Sequence, residues 1–368
     1  MKPKKLPILN ADTEIFAWNY EEQTQIKHQV LSEYFKQYAK ILGSWRETLY
    51  FDCHGGCGVY VKNKELYDGS AILIDKVAQL VFPNCKDKYK VIVCESERDN
   101  FLNLNKVLKY SNASDRIYTY NKDFNEVLKE RDIINDYMNR ATLFFIDPFG
   151  YYNVPMATFS KLLKGKGNEI LINFMFDFLN RGIGVEHIDE KQLTAFFGGI
   201  EWKQAKDLRG NERERFLISL YKHKLKELTG VKYVYAYRIC YPNKQQTYYY
   251  LVHATNHKKG ITLMKSSFAA FNNGHVEYLG KRNGIETFFD LNEYKQADIS
   301  TLLIRNFKDK VISFDQIWSE IVEDTIYLEK DLRNTLKQME INGSITVQRI
   351  SSKTTRGLGG KDKIIFKE

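Results

Sequence analysis

The sequence predicts an α/β chain whose core is a doubly wound parallel sheet. Two observations predict it: short apolar runs alternate with helical stretches from residue 49 to residue 175, and those runs are too continuous for a sheet with one wet face. At 368 residues and 43% hydrophobic content, the chain can bury one full core and still build a small additional module.

Residues 21–42 place Ile26, Val30, Leu31, Tyr34, Phe35, Tyr38 and Ile41 at helical spacing, which predicts an amphipathic helix laid on the core. Lys27 and His28 fall on its polar side, where simple solvation accounts for both. The alternation then runs strand 49–51, helix 70–82, strand 90–95, helix 98–109, strand 116–121, helix 123–139, strand 141–147, helix 155–164 and strand 168–175. Residues 185–230 read as a charged helical insertion. Two aromatic strands follow, 233–241 and 247–254, turned by Pro242-Asn243 and able to close one edge of the sheet. In 299–368, two helices (313–323 and 327–341) precede two strands (345–350 and 364–367), which is winged-helix order.

The net charge of +9 favours an anionic partner, because Lys and Arg release counterions on a phosphate backbone. Five cysteines at irregular spacing argue against a disulfide scaffold and for a reducing, cytoplasmic home. Neither a signal peptide nor a membrane span is expected, since no apolar run is long enough for either.

In a doubly wound sheet, ligands sit beyond the carboxyl ends of the strands, and the first turn needs glycines so that backbone can approach them. Asp52-Cys53-His54-Gly55-Gly56-Cys57-Gly58 supplies that turn. Its helix starts only near Ser70, whereas a pyrophosphate wants a helix N-terminus directly behind the glycines. An aspartate there suits the cationic aminoacid end of S-adenosylmethionine instead. Glu95, ending the second strand, is placed to accept two ribose hydroxyls, and Asp123, after the third, to hold an adenine amine. Taken singly, each acid reads more readily as a solvated charge; three in register after three successive strands favour the cofactor reading.

Asp147-Pro148-Phe149-Gly150 closes the fourth strand. A nitrogen conjugated to a base ring is a poor nucleophile, so a site that methylates it should accept its hydrogen bonds and pin the ring. The Asp147 carboxylate and the Pro148 carbonyl are the candidate acceptors and Phe149 the stacking face; the plainer alternative makes Phe149 a core residue at a turn. Cys53, His54 and Cys57 crowd one loop, yet packing around a glycine turn explains them better than zinc, and no metal is expected. In the tail, Arg333 and Lys337 lie one turn apart on the second helix, and Lys353, Arg356, Lys361 and Lys363 decorate the proposed wing, which fits phosphate contact. Glu329, Asp331 and Glu340 on the same helix weigh against it.

With these residues in view, the sequence resembles the three-Cys-motif partner protein family, TcmP. The matching residues are Gln23 to His28 with Tyr34, Phe51-Asp52 through Gly58, Gly69-Ser70-Ala71, Glu95, Lys122-Asp123, Phe145 through Gly150, Leu171-Ile172-Asn173-Phe174-Met175, and Tyr248 to Leu251 with Ala254-Thr255. The resemblance implies a class I methyltransferase-like Rossmann sheet with a helical insertion, a C-terminal winged-helix-like domain, and a radical-type three-Cys-motif protein as partner. It also implies that the opening helix covers the cofactor, which makes His28 a candidate for the pocket wall. Asp147-Pro148-Phe149-Gly150 is similar to the motif of tRNA guanine amine methyltransferases and to the Asp-Pro-Pro-Tyr motif of adenine and cytosine amine methyltransferases.

The expectation is therefore an S-adenosylmethionine-dependent methyltransferase acting on an exocyclic amine of an RNA or DNA base. Its catalytic residues are Asp147, Pro148 and Phe149, and its cofactor residues Asp52, Cys53, Gly55, Gly56, Gly58, Glu95, Asp123 and His28. A catalytically silent nucleic-acid-binding or partner protein is the alternative. The expected divisions are 1–45, a helical segment packing on the core; 46–298, the Rossmann domain with its insertion at about 185–230; and 299–368, the winged-helix-like domain.

Overall fold

The computed structural model describes residues 6–10, 13–83, 85–184, 189–242, 244, 246–270, 272, 277, 291–350 and 357–367. In chain order the first elements are β1 (Leu6–Asn10), β2 (Thr13–Asn19), α1 (Glu22–Leu42), β3 (Thr48–Asp52), β4 (Val59–Lys62), β5 (Glu65–Asp68) and α2 (Ser70–Val81). Then come β6 (Tyr89–Cys94), α3 (Arg98–Tyr110), β7 (Ile117–Tyr120), α4 (Phe124–Val127), α5 (Arg131–Asn139), β8 (Ala141–Ile146), α6 (Met156–Leu162) and β9 (Glu169–Phe174). They are followed by α7 (Phe176–Ile183), α8 (Glu190–Phe197), α9 (Gly210–Thr229), β10 (Tyr233–Cys240), β11 (Thr247–Thr255) and α10 (Lys258–Ala270).

The main sheet has seven strands in the order β10-β11-β9-β8-β3-β6-β7. Strands β7, β6, β3, β8 and β9 are parallel, while β11 runs antiparallel to both β9 and β10. A reversed strand tucked inside one edge distinguishes this sheet from the all-parallel dinucleotide-binding order, and it is the class I methyltransferase-like Rossmann arrangement. Burial follows the pleat: Leu143 and Phe145 of β8 join the layer under α1, α2, α3 and α10, while Phe144 and Ile146 face the layer under α5, α6, α8 and α9. Both faces are covered, which is why the strand runs are apolar throughout.

β1 and β2, inside the segment expected to be helical, pair antiparallel, and the 59–69 excursion forms the β4–β5 hairpin. Together they make a small sheet, β1-β2-β4-β5, joined where β2 pairs parallel to β4. The β-branched and aromatic stretch Ile15-Phe16-Ala17-Trp18, with Ile15, Ala17 and Trp18 buried, suits a strand laid on the core.

The C-terminal part comprises α11 (Leu291–Phe307), β12 (Val311–Ser313), α12 (Phe314–Ile321), α13 (Glu329–Ile341), β13 (Ile345–Gln348) and β14 (Lys363–Phe366), with sheet order β12-β14-β13. A capping box on Ser313 starts α12. The module is fastened to the core by the Trp318 indole donating to Thr262 Oγ1 at 2.7 Å and by Glu323, which pairs with Lys226 and accepts from the Val234 amide. No helix among the described residues is long and apolar enough to cross a membrane.

One buried carboxylate ties three elements together. Glu169, at the start of β9, accepts from Tyr34 of α1, and from His253 and Thr255 of β11, each of these two at 2.8 Å. Replacing it would leave several buried donors unmatched. Glu169→Ala is expected to cost about 3–5 kcal/mol in urea unfolding; a loss under about 1 kcal/mol would show that the network is not structural.

Candidate functional site

The glycine turn leaves β3 at the point where its two neighbours, β6 and β8, lie on opposite sides. Backbone bonds stitch it to both: Cys53 N donates to Phe145 O at 2.9 Å and Gly55 N to Cys94 O at 2.8 Å. Gly58 sits at φ +80°, and a Cβ there would meet Leu104 Cδ1 at 2.6 Å, so only glycine fits. The hairpin β4–β5 then loops out and returns, and Gly69 N donates to Gly58 O at 2.9 Å. The N-terminus of α2 therefore lies beside the turn after all. Its late start in the sequence is produced by the hairpin and does not argue against a phosphate ligand.

Asp52 is fully buried at the end of β3. Its carboxylate accepts from Ser70 Oγ at 2.5 Å, from the Tyr50 hydroxyl and from the His54 amide, tying strand, turn and α2 into one unit. Burial pushes its pKa up to about 6, against the opposing pull of the Ser70 and His54 hydrogen bonds. Glu95 accepts from the Gly56 amide on one oxygen and from the Glu97 amide on the other, both at 2.7 Å, and burial raises its pKa. Asp123 caps α4, with Oδ1 accepting from the amide and the side chain of Asn125. The three acids thus border the turn, each already partly engaged by backbone.

His54 lies among them and was missing from the expected site residues. Its ring packs on Phe124 with centroids 5.1 Å apart, and burial holds its pKa near 4 although Asp147 and Asp123 both draw it upward. Its Nδ1 is buried with no hydrogen-bond partner among the described residues. A buried imidazole nitrogen without a partner is costly, so this crevice between acids fits a polar ligand.

Beyond the end of β8, Asp147 is bound on both oxygens. Lys27 of α1 donates to Oδ2, and Asn173 Nδ2 donates to Oδ1 at 2.6 Å. Burial alone would raise the Asp147 pKa; Lys27 and Asn173 outweigh it and hold the carboxyl below its ordinary value. Lys27, expected to be solvated, is instead 7% exposed. Helix α1 lies over the crevice, so its nominally polar side faces a carboxylate rather than water. His28 is equally buried, its Nδ1 against the Tyr20 hydroxyl at 3.2 Å and its ring edge-on to Tyr60.

Phe149 is 66% exposed, which rules out the core alternative. Its ring meets the buried Trp18 edge-on at 5.3 Å, and Trp18 in turn contacts Tyr60. The turn that presents it needs Gly150 at φ +94°, where a Cβ would strike the Phe178 ring at 2.8 Å. Trp18 and Tyr60 come from the two hairpins that the sequence reading did not assign.

Cys53 and Cys57 are buried, and burial raises both thiols; among the described residues no cluster of metal-ligating side chains occurs. In the tail, Arg333 is partly exposed and already engaged by its neighbours. It stacks over Phe314 at 3.9 Å, pairs with Glu329 and donates to Leu358 O, so its charge joins α13 to α12 and to the segment before β14. Lys337 and Lys361 are exposed. Lys353 and Arg356 lie outside the described residues.

No family model matches the chain, and no curated protein does. Among solved structures it is similar to an O-methyltransferase of Bacillus cereus in complex with S-adenosylhomocysteine, at 12% identity over 61% of this chain and 80% of that one, TM-score 0.33. It is also similar to the M. jannaschii protein TYW2 in complex with AdoMet, at 10% identity over 69% and 86%, TM-score 0.35. A third likeness is to a candidate rRNA methylase of Clostridium thermocellum, at 13% identity over 60% and 95%, TM-score 0.30. The fold rests on the strand order above, and these likenesses add no argument to it.

The raised pKa of Asp52 has a definite sign. Between its ordinary value of 3.8 and about 6, the folded chain keeps a proton that the unfolded chain has released, so stability falls as pH rises through this window. The difference in urea stability between wild type and Asp52→Asn should shift by roughly 1–3 kcal/mol between pH 4 and pH 7, against the wild type. A pH-independent difference would contradict this assignment.

Proposed function

We propose that the chain is an S-adenosylmethionine-dependent methyltransferase whose acceptor is an exocyclic amine of a nucleic-acid base. The observation that carries the reading is the pairing, on one turn, of a half-buried carboxylate held ionised by Lys27 with an exposed aromatic ring: Asp147 and Phe149 at the carboxyl end of β8. The turn from Cys53 to Gly58, with Gly55 and Gly56 in its middle, would hold the cofactor's aminoacid end above Asp52. Glu95 would receive the ribose hydroxyls, Asp123 the adenine amine, and His28 would close the wall beneath α1. The partnerless His54 Nδ1 supports a polar ligand in this space.

When bound, the cofactor supplies an electrophilic methyl group, so that a nitrogen–carbon bond forms as a sulfur–carbon bond breaks and the amine proton leaves to water. The chain's own work is positioning. Phe149 stacks the ring, and the Pro148 carbonyl with the lone pairs left on Asp147 receives the amine. Lys27 keeps Asp147 ionised and therefore an acceptor.

The tail would supply the nucleic-acid contact. Its order of helix, strand, two helices and two strands suits a winged-helix-like reader, with Lys337, Lys361 and the expected Lys353 and Arg356 toward phosphate. The cytoplasm and a three-Cys-motif protein partner belong to the same reading. A second reading, a catalytically silent binding protein, is favoured by one observation: both Asp147 oxygens are already engaged.

Incubation with methyl-tritiated S-adenosylmethionine and total cellular nucleic acid separates the two. Label is expected in the nucleic acid, reduced roughly tenfold or more in Phe149→Ala, because base stacking is worth about 1–3 kcal/mol and an exposed ring can be removed without unfolding. No label would favour the silent reading, and an undiminished signal in the variant would remove Phe149 as the stacking face. In salt titrations of duplex binding, Lys337→Glu and Lys361→Glu should each lower the slope of log K against log salt by about 1; unchanged slopes would remove these residues from the interface.

A further inference from the structure

Asn173 sits near the end of β9, 4% exposed, beside the end of β8. Its amide has only one possible orientation. An ionised carboxylate is acceptor-only, so the group facing Asp147 Oδ1 at 2.6 Å must be the Asn173 nitrogen. The Asn173 oxygen then points away from Asp147. That oxygen is buried, and no hydrogen-bond partner for it occurs among the described residues.

An unpartnered buried acceptor is costly to the free protein. Strand order says which ligand would relieve it. Glu95 and Asp123 follow β6 and β7, on one side of β3, whereas Asn173 belongs to β9, on the far side of β8. The crevice above β3, β6 and β7 is the cofactor half, and the β8–β9 half is left for the methyl acceptor. Asp147 is held from both sides, by Lys27 and by Asn173, so its own capacity toward a substrate is reduced.

We propose that Asn173 is a specificity-determining residue: its Oδ1 accepts one N–H of the acceptor amine, while the Pro148 carbonyl takes the other. This rests on the methyltransferase reading and revises it at one point: Asn173 Oδ1 takes the acceptor role in place of Asp147, whose oxygens Lys27 and Asn173 already engage. Lys27 and Asp147 become positioning residues, Lys27 fixing Asp147 and Asp147 fixing the Asn173 amide with its oxygen toward substrate. Two acceptors on the two N–H groups of one amine would leave its lone pair directed out of the ring plane. A site with a buried acceptor rejects an analogue that brings no donor, because that acceptor then stays unpartnered.

The test reads binding without turnover. Fluorescently labelled single-stranded oligonucleotides carry one variable central base, in the pairs adenine and hypoxanthine, guanine and hypoxanthine, and cytosine and uracil. Affinities for the full chain are measured by anisotropy with S-adenosylhomocysteine present. Wild type should bind the amine-bearing member of at least one pair about tenfold more tightly, consistent with the loss of one matched buried hydrogen bond. Asn173→Leu should lose that preference and retain its affinity for S-adenosylhomocysteine.

Equal wild-type affinities within every pair, or a preference that survives in Asn173→Leu, would overturn the assignment. If the leucine variant fails to fold, Asn173→Ala is read in the same way. Loss of S-adenosylhomocysteine binding in wild type would instead be a failure of the methyltransferase reading, and is seen separately.

Discussion

The ion pair between Lys27 and Asp147 is the interaction on which the candidate site depends. It joins α1, which precedes the Rossmann sheet in the chain, to the end of β8 in the middle of that sheet. Taking both charges out of water is expensive, and attraction compensates only when further hydrogen bonds satisfy what remains. Here Asn173 supplies the second bond to Asp147. Removing Lys27 alone would leave a half-buried carboxylate without its counter-charge, so the position of α1 over the crevice and the ionisation of Asp147 are set by the same contact.

Around that pair, the glycine turn and the small sheet define the rest of the crevice. The hairpin β4–β5 delays α2 in sequence but returns its N-terminus to the turn, where Ser70 reaches Asp52. The same excursion brings Tyr60 beneath Trp18, and Trp18 braces the exposed Phe149. An element that looks like an interruption of the Rossmann unit thus places the α2 N-terminus beside the glycine turn and a ring against Trp18, which supports Phe149.

Much of this was legible in the sequence, because parallel strands covered on both faces are written as continuous apolar runs and because the acids at strand ends fall at fixed places in the alternation. The amphipathic face of α1 was equally readable from Val30, Tyr34 and Phe35. What escaped were contacts between residues distant in the chain. Lys27 reads as solvated until α1 is laid against β8, and the free oxygen of Asn173 exists only because Asp147 orients its amide. His54 was noticed for its neighbouring cysteines rather than for its partnerless nitrogen. Arg333 carries the charge expected of a phosphate contact, yet Phe314 and Glu329 claim it, a competition that charge pattern alone does not reveal.

In the proposed reading the cofactor lies over β3, β6 and β7 and the methyl acceptor over β8 and β9, so the two are separable claims, and the first underlies the second. Its most direct measurement is a calorimetric titration of S-adenosylhomocysteine into wild type and into Glu95→Gln. One-to-one binding by wild type, weakened about tenfold or more in the variant through loss of a charge-assisted acceptor for the ribose hydroxyls, is the predicted result. No binding by wild type, or equal affinity in the two proteins, would contradict it.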